Sequence, residues 1–304
     1  MGRTDEFHQR ALKLNAWNRF VLKGTTALHQ LIRSHFANRY LAGAGIEIGA
    51  QHLPLKVTNG KTIVKYVDRC PKEVNAALYN LPLEMIVEPD YYLEAEDLNA
   101  FADRSLDFVI ANHVLEHMED PVGALVEWLR VLRDGGILFL TVPNHLANEY
   151  DFRRVPVSSD HLISIYKMTE TPARWAHKLQ HWREFVTAVD DIPLDDPAFE
   201  PRLRHYTDRD DRIHFHVFDF ELLMRALDYI NSSLGEILGS GVEILDTFHL
   251  QYGYDLLLVI RKRSASQHRS RRLNHPTRSA RDVTVLINFA CQMILRKIRR
   301  RKAE

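Results

Sequence analysis

Between residues 41 and 143 short apolar runs alternate with helical stretches, a rhythm that few architectures accommodate besides a parallel sheet covered by helices. Strands are expected at 45–49, 62–68, 91–94, 107–112 and 136–142. The clearest helix between them is 121–132, where Leu125, Trp128, Leu129 and Leu132 fall at i, i+3, i+4 and i+7. Asp134-Gly135-Gly136 supplies the turn that ends it. Residues 5–40 read as helical, interrupted near Gly24-Thr25-Thr26. Residues 144–216 break the rhythm: they are rich in His, Arg, Asp and Trp and divided by Pro193, Pro197 and Pro201. They are expected to form an insertion over the carboxyl edge of the sheet. A helix over 218–230 and a hairpin of 242–250 with 254–261 complete the sheet. The domain thus runs over 41–263, with 1–40 before it and 264–304 after it.

Two cysteines, Cys70 and Cys291, make neither a disulfide framework nor a metal cluster, so a reducing cytoplasm is the expected compartment. Charged residues interrupt any leader-like apolar run near the start, and no stretch of about 18 apolar residues suggests a membrane span. The formal net charge of zero hides an asymmetry. From Arg261 onward there are 14 Lys/Arg against 2 acidic residues, so an acidic body carries a basic tail. Within the tail, Val283, Leu286, Ile287, Ala290, Met293, Ile294 and Ile298 recur at helical spacing before Arg299-Arg300-Arg301-Lys302. Such a helix can lie on an anionic membrane surface, dock on a protein partner or pack on the body; nucleic acid is the weaker reading.

Four segments carry chemistry. Gly45-Ile46-Glu47-Ile48-Gly49-Ala50 brings an apolar strand into glycine, where backbone can approach a ligand. Tyr66-Val67-Asp68 places a carboxylate at the next strand end, about twenty residues on, where it can accept from ribose hydroxyls. Glu94-Ala95-Glu96-Asp97 offers a carboxylate and a backbone N–H suited to an adenine edge. Asp107-Phe108-Val109-Ile110-Ala111-Asn112-His113-Val114-Leu115-Glu116-His117 runs a buried strand into a polar loop.

Together these segments resemble the class I S-adenosylmethionine-dependent methyltransferases, in particular the type 11 group with its Leu-Glu-His after the fourth strand. The resemblance is close over 41–143 and looser over 213–261. It implies a Rossmann-like three-layer α/β sandwich with sheet order 3-2-1-4-5-7-6, and S-adenosylmethionine as cofactor. It maps the methionine-binding loop to Glu47, Gly49 and Ala50, the ribose acid to Asp68, the adenine contacts to Glu94 and Ala95, and the loop beside the methionine group to Asn112 and His113. Gln51 stands where the family has a further glycine, and Glu94 where it more often has Asp. The segment Gln51-His52-Leu53-Pro54-Leu55 resembles a loop of bacterial methyltransferases near surface-polysaccharide genes.

A sulfonium methyl is already activated, so the enzyme's main task is to place a nucleophile, aided by a base of suitable pKa. Histidine suits that role. His214, His216 and His161 are the candidates; His214 and His216 would share a face of an extended segment. Metal ligation by the same residues with Asp160 is the lesser reading, and the site is expected to work without a metal. Trp175, His181, Trp182 and Phe185 read as a helix stripe in preference to a substrate platform. The expected function is methyl transfer to an oxygen or nitrogen of a small molecule or a glycan intermediate, in the cytoplasm or on the inner membrane face. The alternatives are a catalytically silent nucleotide-fold binding module and a nucleic-acid methyltransferase. The latter lacks an Asn/Asp-Pro-Pro-aromatic motif after strand four, and acidic residues offset the arginines of the insertion.

Overall fold

The structure, a computed structural model, describes residues 26–264 except 149, 236–238 and 250–253. The expected helix before residue 26 and the basic tail helix lie outside the described residues. Seven strands form one sheet: β1 (Gly43–Ile48), β2 (Thr62–Asp68), β3 (Tyr91–Tyr92), β4 (Leu106–Asn112), β5 (Leu132–Pro143), β6 (Val242–Phe248) and β7 (Asp255–Lys262). Their order is β3-β2-β1-β4-β5-β7-β6, the order expected. The first five strands run parallel, and β7 lies antiparallel between β5 and β6.

Helices cover both faces, so the central strands are apolar without alternation. In β4, Phe108, Val109, Ile110 and Ala111 are all fully buried. Val109 and Ala111 join one core with Leu125, Trp128 and Leu129 of α3 (Pro121–Val131) and Leu223 and Leu227 of α7 (Phe220–Tyr229). Phe108 and Ile110 point the other way, toward Phe139, Leu257, Val259 and Phe36 of α1 (Thr26–Tyr40). A short helix, α2 (Lys72–Tyr79), follows β2.

Strand β5 begins earlier than the turn signal implied. Leu106 pairs with Leu132 and Phe108 with Ile137, so Asp134-Gly135-Gly136 bulges out of the ladder, with Gly135 at φ +81°. Strand β3 is reduced to two residues. After β5 the chain builds α4 (Ser159–Lys167), α5 (Thr171–Ala188) and α6 (Phe199–Arg209). This insertion has its own core of Trp182, Phe185, Val186, Phe199, Leu203, Tyr206, Ile213 and Phe215. The α5 stripe therefore packs as read, while Trp175 stays half exposed with its ring edge-on to Trp182. Among the described residues no helix is long and apolar enough to cross a membrane.

Candidate functional site

The carboxyl ends of β1, β2 and β4 converge on one crevice, where the strand order reverses between β1 and β4. At the end of β1, Gly49 has φ +64°, and its N–H donates to the Val67 carbonyl at 2.9 Å. A Cβ there would meet only Val114, at 3.4 Å, so the space beside the Gly49 backbone is open. Gln51 takes φ +48°, the left-handed conformation that a glycine would adopt without strain. The missing glycine thus leaves the loop shape intact. Glu47 is 1% exposed, and both carboxylate oxygens accept from the Leu55 N–H at 3.0 Å. Asn112 Nδ2 adds a contact at 3.3 Å. Burial pushes the Glu47 carboxyl up to about 7. Glu47 thus clamps the loop that follows β1.

Asp68 ends β2, buried, with Oδ1 accepting from the Cys70 N–H at 3.0 Å. Burial raises its carboxyl above the usual range. A carboxylate has about four acceptor sites, so capacity remains for a ligand hydroxyl. Glu94 is more exposed and is held by Arg212 at 3.1 Å. Arg212 also reaches Glu96 and Glu119, which ties the end of the insertion to this acidic segment. The Ala95 carbonyl accepts from Trp128 Nε1 at 2.8 Å, which fixes the backbone at the expected adenine edge.

Asn112 bridges β4 to its neighbours, accepting from Thr141 Oγ1 at 3.0 Å while donating to Glu47. His113 follows at φ +55°. Its Nε2 lies 2.8 Å from both Arg33 Nη2 and Asp255 Oδ1, and its ring stacks on Tyr254 with centroids 5.4 Å apart. Arg33, on α1, and Asp255, at the start of β7, were not apparent as site residues from the sequence. No local pattern joins positions so far apart.

Past His113 the chain turns through Leu115–His117 into a second group of side chains. Glu116 is 1% exposed, and among the described residues neither of its carboxylate oxygens has a hydrogen-bond partner. Burial raises its carboxyl. His117 Nδ1 donates to the Arg212 and Ile213 carbonyls at 2.9 and 3.0 Å, and burial holds its pKa down to about 3. The ring is therefore neutral, with a lone pair on Nε2. It meets His214 edge-on at 4.7 Å. His214 Nδ1 lies 2.8 Å from Oδ2 of the buried Asp151. Burial opposes the charged His214 ring, but Asp151 outweighs it and the pKa is raised. An imidazole that gives Nδ1–H to a carboxylate keeps Nε2 to accept a proton.

The histidine candidates separate. His214 joins Asp151, Glu116 and His117, whereas His216 is fully buried, with its ring against His181, His177 and His161. The segment carrying His214 and His216 is irregular and not a strand, so the shared face expected from period-two alternation does not form. Asp151, a loop residue, carried no sequence signal. His177 and His181 did carry one: a four-residue spacing that puts both on one helix face.

The crevice fits a nucleoside-bearing cofactor on two observations: the open backbone at Gly49 and the buried Asp68 carboxylate with acceptor capacity to spare. Residues 42–140 match the methyltransferase-domain family. A ubiquinone biosynthesis O-methyltransferase of Xanthomonas oryzae pv. oryzae is 32% identical over 136 residues, 41% of this chain and 56% of that protein. The chain thus spans little more than half the length of the curated relatives it matches. Among solved structures, a Rhodobacter sphaeroides protein named for a Zn-dependent alcohol dehydrogenase aligns with TM-score 0.46 and 18% identity, covering 76% of this chain and 89% of that one. The CalH trans-methyltransferase in complex with SAH aligns with TM-score 0.38 and 14% identity, over 76% and 55%.

Proposed function

We propose, from the match of residues 42–140 to the methyltransferase-domain family, that this protein is a class I S-adenosylmethionine-dependent methyltransferase that methylates a hydroxyl or amine of a small molecule or glycan intermediate, with His214 as the base. The observation that carries this reading is the His214–Asp151 pair, 2.8 Å apart, grouped with Glu116 and His117 just beyond the cofactor loop.

When bound, S-adenosylmethionine supplies a methyl group already activated on a sulfonium. Gly49, Ala50, Asn112 and His113 would flank its methionine part, Asp68 its ribose, and Glu94 with the Ala95 backbone its adenine. The remaining work falls to the chain's own side chains. Asp151 orients His214 and stabilises its protonated form. His214 Nε2 takes the acceptor's proton as the acceptor's oxygen or nitrogen becomes the nucleophile. The neutral His117 Nε2 can receive a hydrogen bond from the acceptor or from His214. Glu116, whose carboxyl burial favours in the protonated form, can donate one. His161 and His216 belong to a separate cluster and have no part in this step.

The test is transfer of labelled methyl from S-adenosylmethionine into a panel of hydroxylated and amino acceptors, run beside cofactor-induced thermal stabilisation. Transfer that depends on His214 supports the reading. Cofactor binding with no transfer to any acceptor would favour a binding module instead.

A further inference from the structure

We propose that His161, His177, His181 and His216 bind a borderline transition-metal dication, zinc in preference, which ties α4 and α5 of the insertion to the segment that returns to α7. The proposal is independent of the choice of methyl acceptor or base.

Three elements bring these rings together. His161 lies on α4, His177 and His181 lie one turn apart on α5, and His216 lies on the segment that returns to α7. One ring nitrogen from each of His161, His181 and His216 lies within 4.8 Å of the others. His177 Nε2 stands 3.0 Å from His161 Nε2 and 3.1 Å from His181 Nε2. Zinc binds imidazole nitrogen at about 2.0–2.1 Å, so nitrogens along a tetrahedral edge are separated by about 3.3 Å. The two His177 spacings are close to that edge, and the other three rings lie near enough to close on a shared ion.

The tautomers point the same way. His216 Nε2 lies 3.2 Å from the Glu119 carbonyl, which can only accept, so the ring proton is on Nε2 and Nδ1 carries a lone pair. That Nδ1 is buried and has no partner among the described residues, on a side chain with no exposed surface. The buried His181 holds Nδ1 3.7 Å from a Glu184 carboxylate oxygen and Nε2 3.1 Å from His177 Nε2. The Glu119 carbonyl behind the His216 ring is the kind of outer-shell partner that metal-binding histidines commonly have. A cation shared among these nitrogens would also give the buried His216 Nδ1 a partner. Neutral imidazoles select borderline ions over calcium or magnesium.

The site is tested on the full-length protein after dialysis against a chelator. Zinc is titrated in competition with a chromophoric chelator, and cobalt(II) is added separately as a spectroscopic probe. Expected results are one zinc per chain, a rise in melting temperature, and intense visible cobalt bands of tetrahedral nitrogen coordination. His161→Gln and His177→Gln, at the less buried positions, should each weaken zinc by more than about 100-fold, beyond the 10–100-fold typical of losing an outer-shell partner. Their metal-free melting temperatures should match wild type, and His214→Gln should bind zinc as wild type does. Absence of zinc binding at 100-fold excess overturns the proposal. So does stoichiometric binding that survives the His161→Gln/His177→Gln double change or is lost in His214→Gln, either of which would place the ion elsewhere.

Discussion

Arg33 and Asp255, separated by 222 positions, form a buried two-pronged ion pair, with Arg33 Nε 2.9 Å from Oδ2 and Nη2 2.8 Å from Oδ1. It joins α1 to the start of β7 and supports His113 in the loop after β4. Burial alone would raise the Asp255 carboxyl, but Arg33 and then His113 overcome this and hold it well below the usual range. Arg33→Met leaves a buried charge without its partner and should cost about 3–5 kcal/mol of stability. A depressed carboxyl stabilises the fold above its unfolded pKa of about 3.9 and loses that contribution as pH falls. The mutant's deficit in urea unfolding should therefore be largest near neutral pH and shrink in acid. A deficit that is small or independent of pH would show that the pair contributes little.

Glu47 has the opposite sign. Its folded pKa is raised to about 7 from 4.5, so across that window the native state holds a proton that the unfolded chain has lost. Stability should fall as pH rises through the window, by about 3 kcal/mol at about 1.4 kcal/mol per unit. Glu47→Gln should flatten this part of the profile. Urea unfolding at pH 5 and pH 8 checks it, and parallel profiles for the two proteins would remove Glu47 as the cause.

Asp68→Ala should weaken S-adenosylmethionine binding by about 1.5–3 kcal/mol for each charge-assisted hydrogen bond lost, with little change in the fold. Calorimetric titration measures the loss. An unchanged affinity would mean that the ribose is held elsewhere.

Asp151→Asn should lower kcat by about 10²–10⁴-fold, the range for a positioned acid–base group, while cofactor affinity stays near wild type. His214 must be unprotonated to act, so activity should rise with pH through its elevated pKa. Removing the Asp151 charge should move that limb to lower pH. An unmoved limb would indicate a base other than His214.

A chain ending at Ser264 should keep cofactor binding and lose salt-sensitive binding to anionic vesicles. Each Lys/Arg near such a surface contributes about 1 kcal/mol. Equal vesicle binding by full-length and shortened chains at low salt would exclude the basic tail as a tether.

The parallel strands were legible because each is a local apolar run bounded by turn residues, and the sheet order came with the family resemblance. The placement of Asp68 and Gly49 at strand ends was legible because strand ends carry their own punctuation. The His214–Asp151 pair was half legible: the histidine stood out in a His-Phe-His segment, while its carboxylate lies 63 positions earlier in an irregular loop. The expectation that His214 and His216 share a face rested on an extended segment, and the backbone there is irregular, with a bend at His216. Gln51 shows another limit. Its identity suggested a damaged glycine loop, but the backbone holds the glycine-like conformation, a property of the assembled turn.

Because β7 lies between β5 and β6, the order of synthesis differs from the order in space. When β6 leaves the ribosome its partner has not been made, and β5 still presents an open edge. Only after residue 262 emerges can one strand close both gaps. The same strand delivers Asp255 to Arg33 and His113. A nascent chain lacking its last forty-odd residues could already hold every described strand and the support of the loop after β4. One stopped at residue 250 would retain two unpaired edges and a loop histidine without its carboxylate, and would be a ready substrate for chaperones and proteases.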